Sequence, residues 1–513
     1  MFKGKWVLIL AVILPLSVTA QSTIDQIRFT VNEYRIVGNN PLGDDAREIL
    51  APFTGEQFGL DGLAAAADAL EQALSKAGYS FHRVSLPPQQ LTTGSVELQV
   101  VRFTVGQIEI SGNEFFDQEN IQHSLPGLAV EQSPNTRELS RNLKLANTHP
   151  SKNVVLKFKE GETPDTIDAK LSVQDLNPQA FFITLDNSGS EDTEEWRTTL
   201  GYQHGNLFNR DHSITATLTT APEDVNSTLQ IGLSYNIPLY SQLATLNFLL
   251  SNSEVDTGVI AGDIEVSGKG GVFAVFYDKS LPASDFDHGV SIGFQYKQFE
   301  NDITIGTTNS STDVLSLPLE LGYHFSVPGQ QTSWSGGLKL AANIPSGSNN
   351  DDEAYAASRF NAEKEWSWFK YFIAFDLQFA KQWLFHFGFS GQASDDLLIS
   401  GEQFGVGGAG TLRGFEERSI TGDAGYNANL ELMTPPLTSQ NIRFLIFSDH
   451  ASVEFNDGET TDLSSAGLGV RWAWKQNLSL SLDYGRIIDG GGPDPTINQD
   501  DDDRAHLNLV YRF

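Results

Sequence analysis

The 513-residue sequence contains no cysteine, so neither a disulfide framework nor a thiolate metal site can form. Basic residues are also scarce: 33 lysines and arginines stand against 65 acidic residues, which gives a formal net charge of −32. This balance argues against nucleic-acid binding, because phosphate contacts depend on Lys and Arg. The acidic excess by itself names no partner and indicates a well-solvated surface.

Signatures of enzymatic and metal chemistry are missing as well. The sequence has no GxSxG elbow, no phosphate loop with a lysine and no histidine pair at metal-binding spacing, so we expect no catalytic residue, metal or cofactor. Gly405, Gly407 and Gly410 do satisfy the dinucleotide spacing GxGxxG. Neither a buried strand before them nor a helix after them is indicated, so we reject a nucleotide site. The acidic run 500–503 could attract divalent cations, but a solvated loop is the favoured interpretation.

Only the first residues form an apolar run. Lys3 and Lys5 precede an apolar stretch from Trp6 to Val18, and Val-Thr-Ala at 18–20 forms a small-residue cleavage site. We therefore predict that residues 1–20 are a signal peptide that is removed on export. No later stretch approaches the roughly 18 consecutive apolar residues of a membrane-spanning helix. Any membrane insertion must therefore use strands.

Residues 29–177 contain two small α/β modules with the same order of strand, helix, helix, strand, strand. The clearest element is the second helix, where apolar residues recur at helical spacing from Leu60 to Leu74 and Gly78 ends the pattern. The first module (29–104) has predicted strands 29–37, 80–84 and 94–104 and helices 44–52 and 60–77. The second (105–177) has predicted strands 105–111, 153–157 and 166–173 and helices 118–125 and 136–147. A Gly-Asn pair follows the first strand of each module, which indicates an internal duplication.

After residue 177, helical spacing gives way to strand alternation. Leu507, Leu509, Tyr511 and Phe513 alternate with mostly polar residues, as lipid outside and water inside a transmembrane barrel require. The sequence does not decide whether residues 354–365 form a strand or part of a loop. Every second connection is short, and those between are mostly longer and acidic, so we expect both chain ends in the periplasm. Sixteen strands are predicted within residues 178–513, at 179–188, 195–204, 211–221, 227–238, 242–252, 266–278, 287–299, 313–325, 331–342, 366–379, 382–393, 423–434, 441–453, 464–474, 477–486 and 505–513.

The long loop at 394–422 is dense in glycine and ends in one arginine. Its glycines are Gly405, Gly407, Gly408 and Gly410, and its tip is Leu412-Arg413-Gly414-Phe415. Glycine lets a backbone approach a wall closely, and arginine does not lose its charge, so we predict a loop buried inside the barrel. Such an arginine needs a carboxylate, and Asp449 and Asp483 are both candidates. Leu445, Phe447 and Asp449 share one parity, so strand 441–453 does not sort cleanly into lipid and lumen faces.

The two modules resemble POTRA domains, and two of them ahead of a barrel resemble the transporters of two-partner secretion, the filamentous-haemagglutinin and haemolysin exporters. The run Leu139, Arg141, Leu143 and Asn147 and the turn 160–164 look like the second POTRA domain of that family. In that family, a loop with a (Val/Leu)-Arg-Gly-(Tyr/Phe) tip folds into the barrel, and its arginine pairs with the aspartate of a Phe-x-Asp motif. Phe447-Ser448-Asp449 matches that motif, so the resemblance implies Asp449 as the partner of Arg413, with Asp483 as the rival.

The resemblance implies an outer-membrane translocase that moves one large unfolded exoprotein of β-repeat fold to the cell surface. It would work as a monomer among lipid and lipopolysaccharide, without a cofactor, and cargo folding outside would provide direction. A plug helix does not fit within residues 21–28, so we expect the Arg413 loop to close the pore. Cargo would dock by strand addition. The docking edges are predicted at Ser80, Phe81, His82, Arg83 and Val84, or at Asn153, Val154, Val155, Leu156 and Lys157.

Two other functions remain open from the sequence. A barrel-assembly insertase of the same superfamily shares the Arg-Gly-Phe loop but usually has more POTRA domains. A passive porin with periplasmic adaptors is the alternative from another class, and the two modules would then act as rigid spacers.

Overall fold

The computed structural model describes residues 28–91, 93–189, 194–225, 228–253, 257–261, 264–267, 269–282, 286–305, 308–437, 441–455, 458–475, 477–491 and 502–513. The predicted signal peptide at 1–20 lies outside these residues, as do 500 and 501 of the acidic run. Within the described ranges, no helix has the length and apolar composition needed to cross a bilayer. Backbone contacts define two compact units: one comprises the described residues up to 107 with 129–138 and 159–168, and the other comprises 108–128, 139–158 and 169–513.

The first module packs two helices on a three-stranded sheet in the order β2 (Glu33–Gly38), β5 (Ser95–Arg102) and β4 (His82–Ser85). Leu70 and Leu74 of α2 are buried with Leu98 and Val100 of β5, so the apolar helix face predicted from spacing forms the core. The predicted strand 29–37 is divided at Asn32, and its first half pairs with β3, a strand that was not predicted. The elements are β1 (Arg28–Val31), β2 (Glu33–Gly38), α1 (Asp45–Leu50), β3 (Gly55–Phe58), α2 (Asp61–Lys76), β4 (His82–Ser85) and β5 (Ser95–Arg102).

The second module repeats this order, and its three strands form a sheet of order β6-β8-β7. Asp117 caps the first helix by accepting a hydrogen bond from the Asn120 backbone N–H at 2.8 Å. The predicted succession of strand, two helices and two strands is confirmed. The elements are β6 (Thr104–Ser111), α3 (Gln118–His123), α4 (Thr136–Asn147), β7 (Lys152–Glu160) and β8 (Thr166–Asp175).

The rest of the chain forms a closed antiparallel barrel, in which the last strand pairs with the first through Leu509 and Leu185. β18 and β19 are separated only by Leu317 and both pair with β17, so the seventeen segments make sixteen wall strands, as predicted. The wall consists of β9 (Gln179–Asp186), β10 (Arg197–Leu207), β11 (His212–Thr220), β12 (Leu229–Leu239), β13 (Ala244–Ser253), β16 (Lys269–Leu281), β17 (Asp287–Ile305), β18 (Thr308–Ser316), β19 (Pro318–Val327), β20 (Thr332–Asn343), β21 (Ser367–Phe379), β22 (Trp383–Ala393), β25 (Ala424–Met433), β26 (Ile442–Glu454), β27 (Thr460–Trp474), β28 (Leu478–Asp489) and β29 (Asp503–Arg512).

Three of the longer connections carry structure of their own. They contain the hairpin β14 (Thr257–Ala261) and β15 (Ile264–Ser267), the helix α5 (Asp352–Ser358), and the hairpin β23 (Phe404–Val406) and β24 (Ile420–Gly422). The open question at 354–365 is therefore settled: this segment belongs to a loop that begins with a short helix. Asp351 caps that helix through the Ala354 N–H at 2.9 Å, and the following residues form no strand.

The two faces of the wall differ in polarity. Outward-facing apolar side chains such as Leu200, Ile231 and Leu250 are more than half exposed, as a lipid-facing surface requires. On β26, Phe444 and Ile446 are exposed, whereas Leu445, Phe447 and Asp449 are buried. The unusual parity of this strand has a physical reason, because its inward face is covered by the glycine-rich loop instead of water.

Candidate functional site: the inward loop and the barrel lumen

The loop between β22 and β25 enters the barrel as a short hairpin. β23 pairs with β24, and Gly405 lies in β23, while Gly407, Gly408 and Gly410 continue the chain to the tip. Leu412 and Phe415 at the tip are fully buried. They pack in one apolar cluster with residues of the wall, namely Ala451, Val453, Leu463 and Ile487.

Arg413 is held on the wall by a two-pronged contact with Asp449. Its Nε lies 2.8 Å from Asp449 Oδ2 and its Nη2 2.7 Å from Oδ1, and its backbone N–H donates to Oδ2 at 3.1 Å. Nη1 lies 2.5 Å from Glu431 Oε1, and the guanidinium stacks 3.6 Å from the centre of the Phe447 ring. The arginine side chain is 4% exposed and that of Asp449 0%. This shielding makes the pair stronger than a surface ion pair.

Asp483, the rival partner, is engaged mainly by another arginine. Both of its carboxylate oxygens accept hydrogen bonds from Arg471, at 2.6 and 2.8 Å, whereas Arg413 Nη1 is 3.9 Å away. The structure thus brings Arg413 to Asp449 and leaves Asp483 at the edge of the same charge cluster. Glu431 was not singled out from the sequence, although strand alternation puts it on the polar face of β25.

The tip backbone lies directly against the wall at Gly485 of β28. Gly414 has φ +96° and its N–H donates to His506 Nε2 at 2.9 Å. A β-carbon at position 485 would lie 2.6 Å from the Gly414 nitrogen and 2.8 Å from the Arg413 carbonyl carbon. Only glycine therefore fits at 485. The sequence offered no signal for this residue, since many strands of the chain contain a glycine.

We expect Gly485→Ala to displace the tip, because overpacking of this kind costs about 1–3 kcal/mol. If the export that the sequence resemblance implies is correct, release of the exoprotein falls about tenfold. Gly388→Ala on β22 is the matched control. A β-carbon there meets nothing closer than the His386 side chain at 3.4 Å, an ordinary contact. Release into the medium, quantified by immunoblot, checks the prediction, and equal release by the two variants would contradict it.

Two buried carboxylates hold the base of the loop. Glu402, at its start, lies 3.0 and 3.1 Å from Lys297 Nζ and accepts from the Trp368 indole N–H at 3.3 Å. Asp423, at its end, is bound by both terminal nitrogens of Arg359, which follows α5 in the preceding long loop. The loop therefore descends into the lumen from a fixed base. None of these residues was predicted, because their partners lie far away in the sequence.

A second buried network joins the second module to the short turns of the barrel. Lys152 Nζ lies 2.5 Å from Asp211 Oδ2, and both side chains are at most 1% exposed. Asn120 bonds to both of them at 2.9 Å, and the Tyr240 hydroxyl donates to Asp211 at 2.6 Å. Burial lowers the pKa of Lys152, and the charge of Asp211 opposes that shift. The charged form of Lys152 is therefore stabilised by the carboxylate of Asp211.

The predicted docking segments both lie at sheet edges. His82, Arg83 and Val84 belong to β4, with Ser80 and Phe81 just ahead of it, and residues 153–157 belong to β7. Each of these strands ends the order of its three-stranded sheet. In the described part of the chain, no group of three or more His, Asp or Glu residues could hold a metal ion.

A closed barrel with an apolar outer surface, α/β modules ahead of it and a charged loop inside it defines an outer-membrane transport protein. Residues 165–472 match the family described as haemolysin secretion/activation protein ShlB/FhaC/HecB, and residues 29–102 match the POTRA domain of ShlB type. The chain belongs to this haemolysin secretion/activation family, whose members export a partner exoprotein across the outer membrane.

Individual relatives agree with this assignment. The heme/hemopexin transporter protein HuxB of Haemophilus influenzae strain 86-028NP is 19% identical over 507 residues, covering 95% of this chain and 88% of that protein. The structure of CdiB from Escherichia coli has a TM-score of 0.78 at 16% identity and covers 98% of this chain and 94% of that one. CdiB from Acinetobacter baumannii has a TM-score of 0.73 at 16% identity, with 95% and 90% covered. The N-terminal modules thus lie in the periplasm and the barrel in the outer membrane.

Proposed function

We propose that this transporter moves a large, unfolded exoprotein of β-repeat fold through the barrel lumen past the Arg413 loop. The observation that carries the proposal is the buried pairing of Arg413 with Asp449 and Glu431, which holds a loop, and not a wall strand, across the lumen. A loop that is not part of the wall can shift without opening the barrel. In the resting state the seated loop is the main obstruction of the pore.

The partner docks, in this proposal, as an added strand on β7. Strand addition needs a run of outward-facing backbone groups at a sheet edge, and β7 has nine residues whereas β4 has four. The Asn147 side chain accepts from the Val154 N–H at 2.7 Å and donates to the Val154 carbonyl at 2.9 Å, as a neighbouring strand would. Asn147 thus occupies the first pairing position of the edge, and an incoming strand would begin there by displacing it.

The shorter edge at β4 is the weaker candidate. Glu71 accepts from the Val84 N–H at 2.9 Å and also lies 3.4 Å from Arg83 Nη1. This N–H group is already satisfied, as that of Val154 is on β7. Because β4 has only four residues, a peptide added there would gain few backbone hydrogen bonds.

Single cysteines can test the docking edge, because the chain has none of its own. With an exoprotein carrying cysteines at successive positions, Val155→Cys on β7 is expected to form disulfides with every second partner residue, the period of a strand. Arg83→Cys on β4 reports on the other edge, and Lys170→Cys is the control because β8 is the central strand. Equal cross-linking from positions 155 and 170, or no alternation along the partner, would contradict strand addition on β7.

Direction would come from folding of the partner outside the cell, since the outer membrane supplies no nucleotide. We propose that one copy suffices, because a single chain encloses the lumen when β29 pairs with β9. The apolar outer face would contact lipid and the long outer loops lipopolysaccharide.

A further inference from the structure

Within the lumen, a polar cavity lies along β10, β11 and β12, and it is called the corridor below. A cavity of about 620 Å³ lies between this wall and the glycine-rich arm of the loop, from Gly405 to Thr411. Arg413 and the buried tip are seated on the far side, against β25, β26 and β28. The seated tip and the cavity therefore lie against different parts of the wall.

The open wall carries uncharged polar side chains in successive rows. Paired strand positions place Thr199 beside Thr219 and Thr219 beside Gln230, with the two threonine hydroxyls 2.7 Å apart. Deeper in the barrel, Thr215 is paired with Ser234. Thr217 lies between these rows and also lines the cavity.

Among the residues that line this cavity, charged groups occur only at its rim and on the loop. Asp186 and Arg197 stand where β9 ends and β10 begins, and Glu417 and Arg418 belong to the loop. The far wall, in contrast, holds the acidic cluster of Asp449, Glu431 and Asp483. Hydroxyl and amide groups can exchange weak hydrogen bonds with a passing backbone, whereas buried charges would bind it or repel it.

The loop arm explains why the corridor is open. It contributes residues with almost no side-chain volume, and at Gly410 an added β-carbon would meet nothing within 4 Å. β-Carbons at Gly405, Gly407 and Gly408 would instead meet the returning side of the loop itself, so these glycines permit its close packing. A large side chain at position 410 would enter the cavity.

We propose that this corridor is the path of the secreted chain, which passes in extended form between the β10–β12 wall and the glycine arm, and that it favours segments rich in small uncharged polar residues. The inference rests on the transport function proposed above and adds the side of the barrel and the chemical class of the segment. Translocation then needs only a modest shift of the loop arm away from the wall, while the Arg413 contacts stay in place.

The test uses full-length protein in liposomes and a soluble unfolded peptide of Ser, Thr, Asn and Gln that carries an activated disulfide. A cysteine thiolate on the protein attacks this disulfide, forms a mixed disulfide with the peptide and releases thionitrobenzoate, whose colour reports the rate. Thr217→Cys is expected to react at least about tenfold faster than Ser335→Cys, a lumen position on β20, because access controls the exchange rate. Leu218→Cys, which faces lipid, is expected not to react.

A second pair of variants tests the same path without labelling. Gly410→Trp places an indole in the open space and is expected to reduce peptide uptake about tenfold or more, whereas Gly410→Ala leaves uptake near the wild-type rate. A small activated disulfide that still labels Thr217→Cys shows that the barrel is folded.

The outcomes separate the two proposals. Peptide uptake by the wild-type protein with equal labelling at 217 and 335, or uptake unaffected by Gly410→Trp, would overturn the corridor and leave transport standing. Labelling of Thr217→Cys by the small reagent but not by the peptide would also overturn it. Failure of the wild-type protein to export its exoprotein would instead count against transport itself.

Discussion

Arg413→Ala is expected to lower exoprotein secretion about a hundredfold while the barrel remains assembled. The change leaves Asp449 and Glu431 in a buried site without their cation, and removing one partner of a buried pair costs about 3–5 kcal/mol. Each 1.4 kcal/mol is a factor of about ten in an equilibrium constant. Such a loss therefore lowers the ratio of seated to released loop at least about a hundredfold. The released arm then moves into the corridor that the exoprotein would use. Exoprotein in the medium, with heat-modifiable gel mobility as the assembly check, measures the effect.

Variants of this pair sharpen the test. Arg413→Lys keeps the charge but loses the fork that grips both oxygens of Asp449, so it is expected to recover secretion only in part. Asp449→Asn is expected to resemble Arg413→Ala. The control is Arg443→Ala, an arginine near the start of the same wall strand, β26, that lies outside the loop. If Arg413→Ala changed only the flux of small solutes, a passive porin would be the better interpretation.

Lys152→Ala is expected to loosen the second module from the barrel turns. The change leaves the carboxylate of Asp211, which is almost completely buried, without its cation. The expected loss in the free energy of association of the module with the turns is again about 3–5 kcal/mol. Hydrogen exchange of α3 and of the turn at 208–211 in the full-length protein should accelerate by about two orders of magnitude or more, if local opening exposes both. Tyr240→Phe removes one hydrogen bond to a charged group and is expected to cost about 1.5–3 kcal/mol.

The matched control for Lys152 lies in the same joint. Lys144 of α4 forms an ion pair with Asp287 at the start of β17, and these side chains are 57% and 43% exposed. Lys144→Ala is therefore expected to cost less than about 1 kcal/mol. Similar exchange rates in Lys144→Ala and Lys152→Ala would show that the buried network does not hold the joint.

Strand alternation predicted the strands because lipid and water impose opposite demands on adjacent residues. The terminal Phe513 and the order of short and long connections then favoured a barrel over a soluble sandwich, which also alternates. The same reasoning failed to sort β26, where Phe447 and Ala451 face inward, since the loop replaces water there. Likewise, the segment at 354–365 lacks a pattern of its own because α5 packs on wall strands β17, β18, β20 and β21 and on the neighbouring loop, with Tyr355 fully buried. The spacing of apolar residues therefore predicted the elements that face lipid or water. It did not predict the segments that are covered by other parts of the protein.

The sequence by itself determined the class of this protein: two α/β modules, sixteen alternating strands, a glycine-rich loop and an arginine within it that demands a carboxylate. Only the tertiary structure decided which groups meet. It placed Arg413 on Asp449 and Glu431, brought Gly485 against the loop tip, buried Lys152 with Asp211 and left the β10–β12 wall open. The physical reason is that alternation and turn chemistry are properties of neighbouring residues, whereas a buried charge finds its partner through the closure of the barrel, across any distance in the chain.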